Sequence, residues 1–266
     1  MSLWPAVQSP WGQAAAAVLG AILGSFFNVV RVRFPRGESL WRPRSSCPQC
    51  RRPVRPYDNI PVLSFLILRG RCRDCGLPIS WQYPLVELCG ALVLWLSVRT
   101  AGGPLEAAFS ALFALGLVLV LFIDLEHQII PDIITLPGIV LGITAGFWLE
   151  DGVGTRLAGA AAGSLGLFAL GGLYKLLTGV EGLGLGDVKL MGMVGAFLGW
   201  QGALGVVLLG SLAGSLAGLA LVAAGRAGRR TMLPFGSFLA PAAWAILFWG
   251  PALWSAYRSL WNLVGG

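Results

Sequence analysis

Apolar runs separated by short polar breaks fill most of the chain, at 12–30, 85–98, 105–123, 136–149, 157–177, 190–200, 203–224 and 235–257. A helix needs about 20 apolar residues to cross roughly 30 Å of hydrocarbon, so each run is a candidate span. The runs at 85–98, 136–149 and 190–200 are short and need flanking residues or burial among neighbours, and a re-entrant segment near Leu190 is an alternative. One long polar stretch, 31–83, interrupts the pattern. The pattern predicts an all-α polytopic membrane protein of about eight transmembrane helices, with a small loop domain between the first two. It divides the chain into a first anchor (1–30), a basic loop (31–83) and a multi-helix membrane domain (84–266). Met1 to Gln13 holds no Lys or Arg, so no cleavable signal peptide is expected and the first run reads as a retained anchor.

Composition agrees with this pattern. Of 266 residues 12% are charged and 56% apolar, which is too apolar for a soluble domain of this length. Charge then orients the chain. Eleven Arg lie between Arg31 and Arg73, Lys175 and Lys189 flank the loop before the sixth run, and Arg226, Arg229 and Arg230 follow the seventh. Only Arg99, Arg156 and Arg258 fall on the other side. The positive-inside tendency therefore predicts a cytoplasmic 31–83 loop and both termini outside. The net charge of +7 is thereby read as a topology signal and a partner for anionic membrane lipid, with no nucleic acid expected.

Within the basic loop stand two CxxC pairs, Cys47-Pro-Gln-Cys50 and Cys72-Arg-Asp-Cys75, 21 residues apart. Two residues between thiolates let one tight turn aim both sulfurs at one ion, and two such turns supply a closed tetrahedral zinc site. With all four positions filled by protein, the metal is expected to be structural and to fold a loop too small for its own core. A pair of disulfides is the alternative, disfavoured in a reducing cytoplasm. Cys89, inside the second run, reads as a small hydrophobe.

Glu87 is a carboxylate in an apolar run and therefore costly. It reads either as an interfacial partner of a loop arginine or as a group that binds a substrate amine or a cofactor. Ser25 and Asn28 in the first run read as helix-packing and interhelical hydrogen-bonding residues.

Two aspartates draw the chemistry together. Asp124 ends the third run, and Asp187 opens the sixth after Gly184-Leu-Gly186; counting crossings puts both at the cytoplasmic face. Carboxylates beside lipid are expensive and by default functional. Two that meet in a cleft can share a proton, one form acting as base on a water and the other as acid on a carbonyl oxygen. Gly184 and Gly186, lacking Cβ atoms, allow unusual backbone angles and let an extended substrate strand approach Asp187 closely. Against this, Asp124, Glu126, His127 and Asp132 could form an ordinary polar loop or a metal site, with Glu126 and Asp132 solvated and His127 interfacial.

Several motifs in order resemble the bacterial type IV prepilin leader peptidases, membrane aspartic proteases of the GxGD class. They are Gly24-Ser-Phe-Phe-Asn-Val-Val-Arg31, the two CxxC pairs, Tyr57-Asp-Asn-Ile-Pro61, Tyr83-Pro-Leu-Val-Glu87, Ile123-Asp-Leu-Glu-His127, Ile130-Pro-Asp132, Gly182-Leu-Gly-Leu-Gly-Asp-Val-Lys189 and Pro234-Phe-Gly236. The resemblance implies that Asp124 and Asp187 are catalytic, supported by Gly184, Gly186, Lys189 and Glu87, with a peptidase core from about residue 105. It implies a bacterial inner-membrane location and substrates that are prepilins and pseudopilins, cut at the cytoplasmic face after a Gly that precedes a hydrophobic helix. It further implies N-methylation of the new N-terminus with S-adenosylmethionine, associated with the basic cysteine loop. No GxGxxG opens a βαβ unit, so any adenosylmethionine site is not of the Rossmann kind. Two departures from the resemblance are Gln82, where many relatives carry a basic residue, and Ser237, where they often carry Pro; neither is expected to touch the aspartate pair.

The rival readings are a proton- or cation-coupled transporter and a scaffold without chemistry. The transporter reading lacks paired, inverted halves, since the cysteine loop and the Gly-Leu-Gly-Asp motif each occur once.

Overall fold

The computed structural model describes residues 3–42, 44–180, 182–226 and 233–265; Arg229 and Arg230 of the expected basic cluster lie outside them. Among the described residues the chain is helical with no extended strand, and it divides into two compact units, Met1–Phe122 and Ile123–Gly266. Among the described residues six helices are long and apolar enough to cross a membrane.

The first unit holds α1 (Trp4–Val7), α2 (Pro10–Arg33), α3 (Leu63–Ile67) and α4 (Gln82–Thr100). Ser9 starts α2 by accepting the Gly12 N–H at 3.2 Å, and Pro10 suits the first turn, where its missing N–H costs nothing. α2 packs against α4 through small residues. A Cβ on Gly20 would strike the backbone of Gly90, and one on Gly24 would strike that of Glu87. Without a hydrophobic drive between helices in lipid, such close approach is what dispersion requires. Polar bonds then fix the register: Asn28 donates to the Tyr83 carbonyl at 3.0 Å, Trp95 to Gln13 at 3.0 Å, and Gln8 to the Ala101 carbonyl at 2.9 Å. The packing role expected for Asn28 is thus what the fold gives it.

Arg31, 2% exposed, donates to Gln82 Oε1 at 2.8 Å and lies 5.4 Å from the centre of the Tyr83 ring. A desolvated guanidinium needs such acceptors, so the neutral Gln82 has a clear local reason.

α5 (Pro104–His127) leads from the first unit into the second, which contains its last turn from Ile123. The second unit continues with α6 (Asp132–Ala145), α7 (Gly152–Thr178), α8 (Leu185–Ala223) and α9 (Gly236–Gly265). α6 has 14 residues, about 21 Å at 1.5 Å per residue, and is short for a span. α8 is broken at Gly199, whose φ of 71° and ψ of 178° lie outside any helix, so residues 185–198 and 200–223 are separate arms. These arms and α6 account for the difference between six long helices and eight apolar runs.

α7 and α8 approach through Gly159 and Gly195, where a Cβ on either would meet the other's carbonyl. Arg156, one of the three basic residues left for the outer side, is buried. It donates to the carbonyls of Gly142 and Ala196 at 3.4 and 3.3 Å and to Asp151 at 2.9 Å, tying α6, α7 and α8 together.

Candidate functional site

α5 stops in a tight reversal. Gln128 adopts the left-handed conformation at φ 54° and donates its N–H to the Asp124 carbonyl, while Pro131 holds the approach to α6 extended. This sends Ile130 between the starts of α8 and α9. A Cβ on Gly186 would lie 3.1 Å from Ile130 Cβ; one on Gly236 would lie 2.8 Å from Ile130 Cδ1 and 3.0 Å from Asp124 Oδ2. Both glycines are therefore closely packed on Ile130, Gly236 more tightly than Gly186. Gly184 has ordinary extended angles (φ −81°, ψ 151°) and Gly186 is helical, so the wider backbone freedom that glycine allows is not used at either position.

Both aspartates sit at this junction. Asp124 is 4% exposed, and its Oδ2 accepts the Ser237 N–H at 2.7 Å. Asp187, half-buried in the first turn of α8, accepts the Gly184 N–H at 3.2 Å. Ile130 lies against Gly186, which precedes Asp187, and against Gly236, whose other neighbour is Asp124 Oδ2, so the two carboxylates stand at one junction. Each faces a helix start, Asp124 that of α9 and Asp187 that of α8, where unpaired N–H groups and the helix dipole favour negative charge. The Ser237 contact corrects the expectation that this residue stands clear of the pair. Its signal was present as a helix start directly after Pro-Phe-Gly, but a backbone donor leaves no mark in residue type.

Lys189 donates to both Asp132 oxygens at 2.8 Å, linking the first turns of α8 and α6. Asp132 is thus a helix-start residue in an exposed ion pair and not part of a loop. Glu126 lies 3.7 Å from His127 at the end of α5.

In the first unit the two CxxC pairs form equivalent knuckles. Cys47 accepts from the Arg51 N–H and donates its own N–H to the Arg52 carbonyl; Cys72 accepts from Gly76 and donates to Leu77. Arg51 (φ 58°) and Gly76 (φ 70°) fill matching left-handed positions. The four sulfurs lie within 4.8 Å of one another, with Cys47 and Cys75 at 4.0 Å, and none is in a disulfide. Tetrahedral zinc with bonds of about 2.3 Å sets sulfurs roughly 3.8 Å apart, so the site fits a metal ion. The N–H groups of Cys75 and Asp74 favour the Cys72 thiolate and bring that group down to about 7. The Leu77 N–H favours the Cys75 thiolate, but burial and the sulfurs of Cys72, Cys50 and Cys47 push that thiol up to about 11. Around the knuckles Arg73 forms a bidentate pair with Asp58 at 2.7–3.1 Å, which holds the Asp58 carboxyl below its usual range.

Glu87 meets no arginine among the described residues. Its Oε2 accepts the Val62 N–H at 2.7 Å, and Ser25 is its second partner.

A polytopic, all-α membrane protein is what this fold defines. The chain belongs to the type IV leader peptidase family: residues 111–219 match the type IV leader peptidase family itself, and residues 18–100 match the bacterial peptidase A24 N-terminal domain. It is similar to proteins named prepilin leader peptidase/N-methyltransferase. The one from Pseudomonas aeruginosa is 37% identical over 90% of this chain and 91% of its own length; that from Aeromonas hydrophila is 38% identical over 92% and 93%. The Myxococcus xanthus protein is 45% identical over 80% of this chain and 64% of its own length. No solved structure matches the chain. Membership in a peptidase family does not favour the transporter reading.

Proposed function

We propose that this protein is a membrane aspartyl endopeptidase that removes the leader from type IV prepilins and pseudopilins, with Asp124 and Asp187 as its catalytic pair. The observation that carries the reading is the meeting of the two carboxylates around Ile130, at one junction of α5, α8 and α9. The names of the relatives support the same activity and its substrates.

The chemistry follows from the charge state of the pair. Two carboxylates in one site hold a single proton between them. The ionised member takes a proton from a water as its oxygen attacks the scissile carbonyl carbon, and the protonated member gives its proton to the carbonyl oxygen. Collapse of the tetrahedral intermediate breaks the C–N bond, and the leaving amine is protonated from the pair. The N–H groups of Ser237 and Gly184 orient the two carboxylates throughout. Gly186 and Gly236, with no side chain to obstruct, keep that junction narrow.

Sixteen of nineteen basic residues fall on the side that carries the 31–83 loop, which supports a cytoplasmic face for the loop and the pair, with both termini outside the inner membrane. A substrate helix can then lie in the bilayer while its leader stays in the cytoplasm. The second activity is N-methylation of the new N-terminus, for which S-adenosylmethionine supplies the methyl group. Cys47, Cys50, Cys72 and Cys75 hold a structural zinc that folds the loop.

Incubating purified protein with a prepilin and reading masses tests this directly. Loss of a leader-sized fragment, then gain of one methyl group only with S-adenosylmethionine, is the expected result. A substrate of unchanged mass in the presence of folded protein would refute it.

A further inference from the structure

The segment between Ile60 and Leu68 belongs by sequence to a polar loop, yet it exposes a cluster of large apolar side chains. Leu63, Leu66 and Ile67 of α3 are 50–65% exposed, and Trp81, directly before α4, is 75% exposed. Water would penalise this arrangement, and loops offer cheaper ones.

Two contacts fix where these side chains sit. Glu87 lies five residues into α4, about 7 Å along its axis, and its side chain leans toward the helix start as helical side chains do. Its carboxylate holds the Val62 N–H at 2.7 Å, so the turn at Val62 is level with the first turn of α4. Independently, the Phe65 ring packs 4.7 Å from that of Trp81. Val62 is held at φ 60° and ψ −48°, closing a three-residue turn in which the Leu63 N–H reaches the Pro61 carbonyl at 2.5 Å. A β-branched residue rarely adopts that conformation, and it persists only where surrounding contacts enforce it. The turn therefore sets α3 beside the first turn of α4, and tryptophan there is the residue type that favours a membrane boundary.

Beside α3 lies a cleft of about 430 Å³ with an amphipathic lining. Phe65, Leu66, Ile79 and Trp81 form its apolar wall, and Arg69 and Arg71 its polar one. The neighbouring Arg52, Arg55 and Arg73 are each engaged with Asp74 or Asp58, whereas the side chains of Arg69 and Arg71 have no partner among the described residues. Two unneutralised guanidinium groups above an apolar wall, at the membrane surface, match a phosphate above an acyl chain.

We propose that α3 and Trp81 form a clip inserted into the membrane interface, and that the cleft bounded by Arg69 and Arg71 binds one acidic phospholipid, holding the cysteine loop on the bilayer. This requires only that α4 spans the membrane, and it stands apart from the peptidase reading.

The test places p-benzoylphenylalanine at Leu66 of the full chain in nanodiscs of phosphatidylglycerol and phosphatidylcholine, with the exposed Leu88 of α4 as the reference. Light-induced lipid adducts are expected at both positions, with phosphatidylglycerol enriched at 66 and not at 88. The Arg69→Gln, Arg71→Gln double variant should lower that enrichment roughly twenty-five-fold, about five-fold per arginine. Inorganic phosphate should leave it unchanged. A label at Ile67 repeats the measurement should the first substitution fail to fold. Adducts at 88 with none at 66 or 67 would overturn the clip. An enrichment indifferent to the two arginines, or abolished by inorganic phosphate, would overturn the lipid site.

Discussion

Ser237 donates its backbone N–H to Asp124 at 2.7 Å, so the first turn of α9 holds a carboxylate at the end of α5. The contact depends on the residue at 237 having an N–H at all, which proline lacks. Ser237→Ala should therefore leave cleavage near wild type, and Ser237→Pro, although it removes the donor, should keep kcat/KM within about tenfold, since proline is the residue that similar chains often carry there. Steady-state cleavage of a prepilin by the two variants checks this.

Ile130 is packed by two glycines through different atoms, and this gives a distinctive pair of outcomes. Gly236→Ala drives a methyl toward Ile130 Cδ1 and Asp124, so cleavage should fall at least tenfold and recover in part when Ile130→Val removes Cδ1. Gly186→Ala presses on Ile130 Cβ, which valine retains, so the same second change should not rescue it. Activity of the four variants, each checked for folding, separates the two cases.

Metal removal should unfold the cysteine loop. The knuckles are held by single turns and exposed ion pairs, which contribute little by themselves. Cys75→Ser, or treatment with a strong chelator, should abolish stoichiometric metal and open the bonds after Arg51 and Arg71 to trypsin, as read by metal analysis and limited proteolysis.

Gln82 answers the buried Arg31 charge. Gln82→Leu removes that acceptor and should cost about 2 kcal/mol, and Gln82→Lys, which sets an ammonium against the guanidinium, should cost more. Thermal unfolding in detergent measures both.

Much of this architecture is legible in the residues. Apolar runs of spanning length mark the helices, and the doubled CxxC spacing marks four sulfurs that do converge. The Gly-Leu-Gly-Asp run draws notice to Asp187, and the fold sets it at the junction around Ile130 that also holds Asp124. What stays hidden depends on backbone direction. Hydropathy cannot see that Gly199 turns α8, that Arg156 points inward to three helices, or that Val62 reverses a loop onto Glu87. Spacing likewise cannot show that Asp132 faces Lys189 across 57 residues. The reason for glycine at 186 is of the same kind. It is the proximity of Ile130, a residue remote in sequence, and not an angle that glycine alone can adopt.

The most direct test of the central claim is the cleavage of a prepilin by Asp124→Asn and Asp187→Asn, followed by mass spectrometry beside the wild type. Asparagine keeps the size of each side chain and an oxygen able to accept the Ser237 or Gly184 N–H, while removing the proton exchange that the pair supplies. The account predicts that each variant folds and leaves the leader attached, and that a substrate already cleaved is still methylated. Leader removal by either variant at a rate near that of the wild type would contradict it.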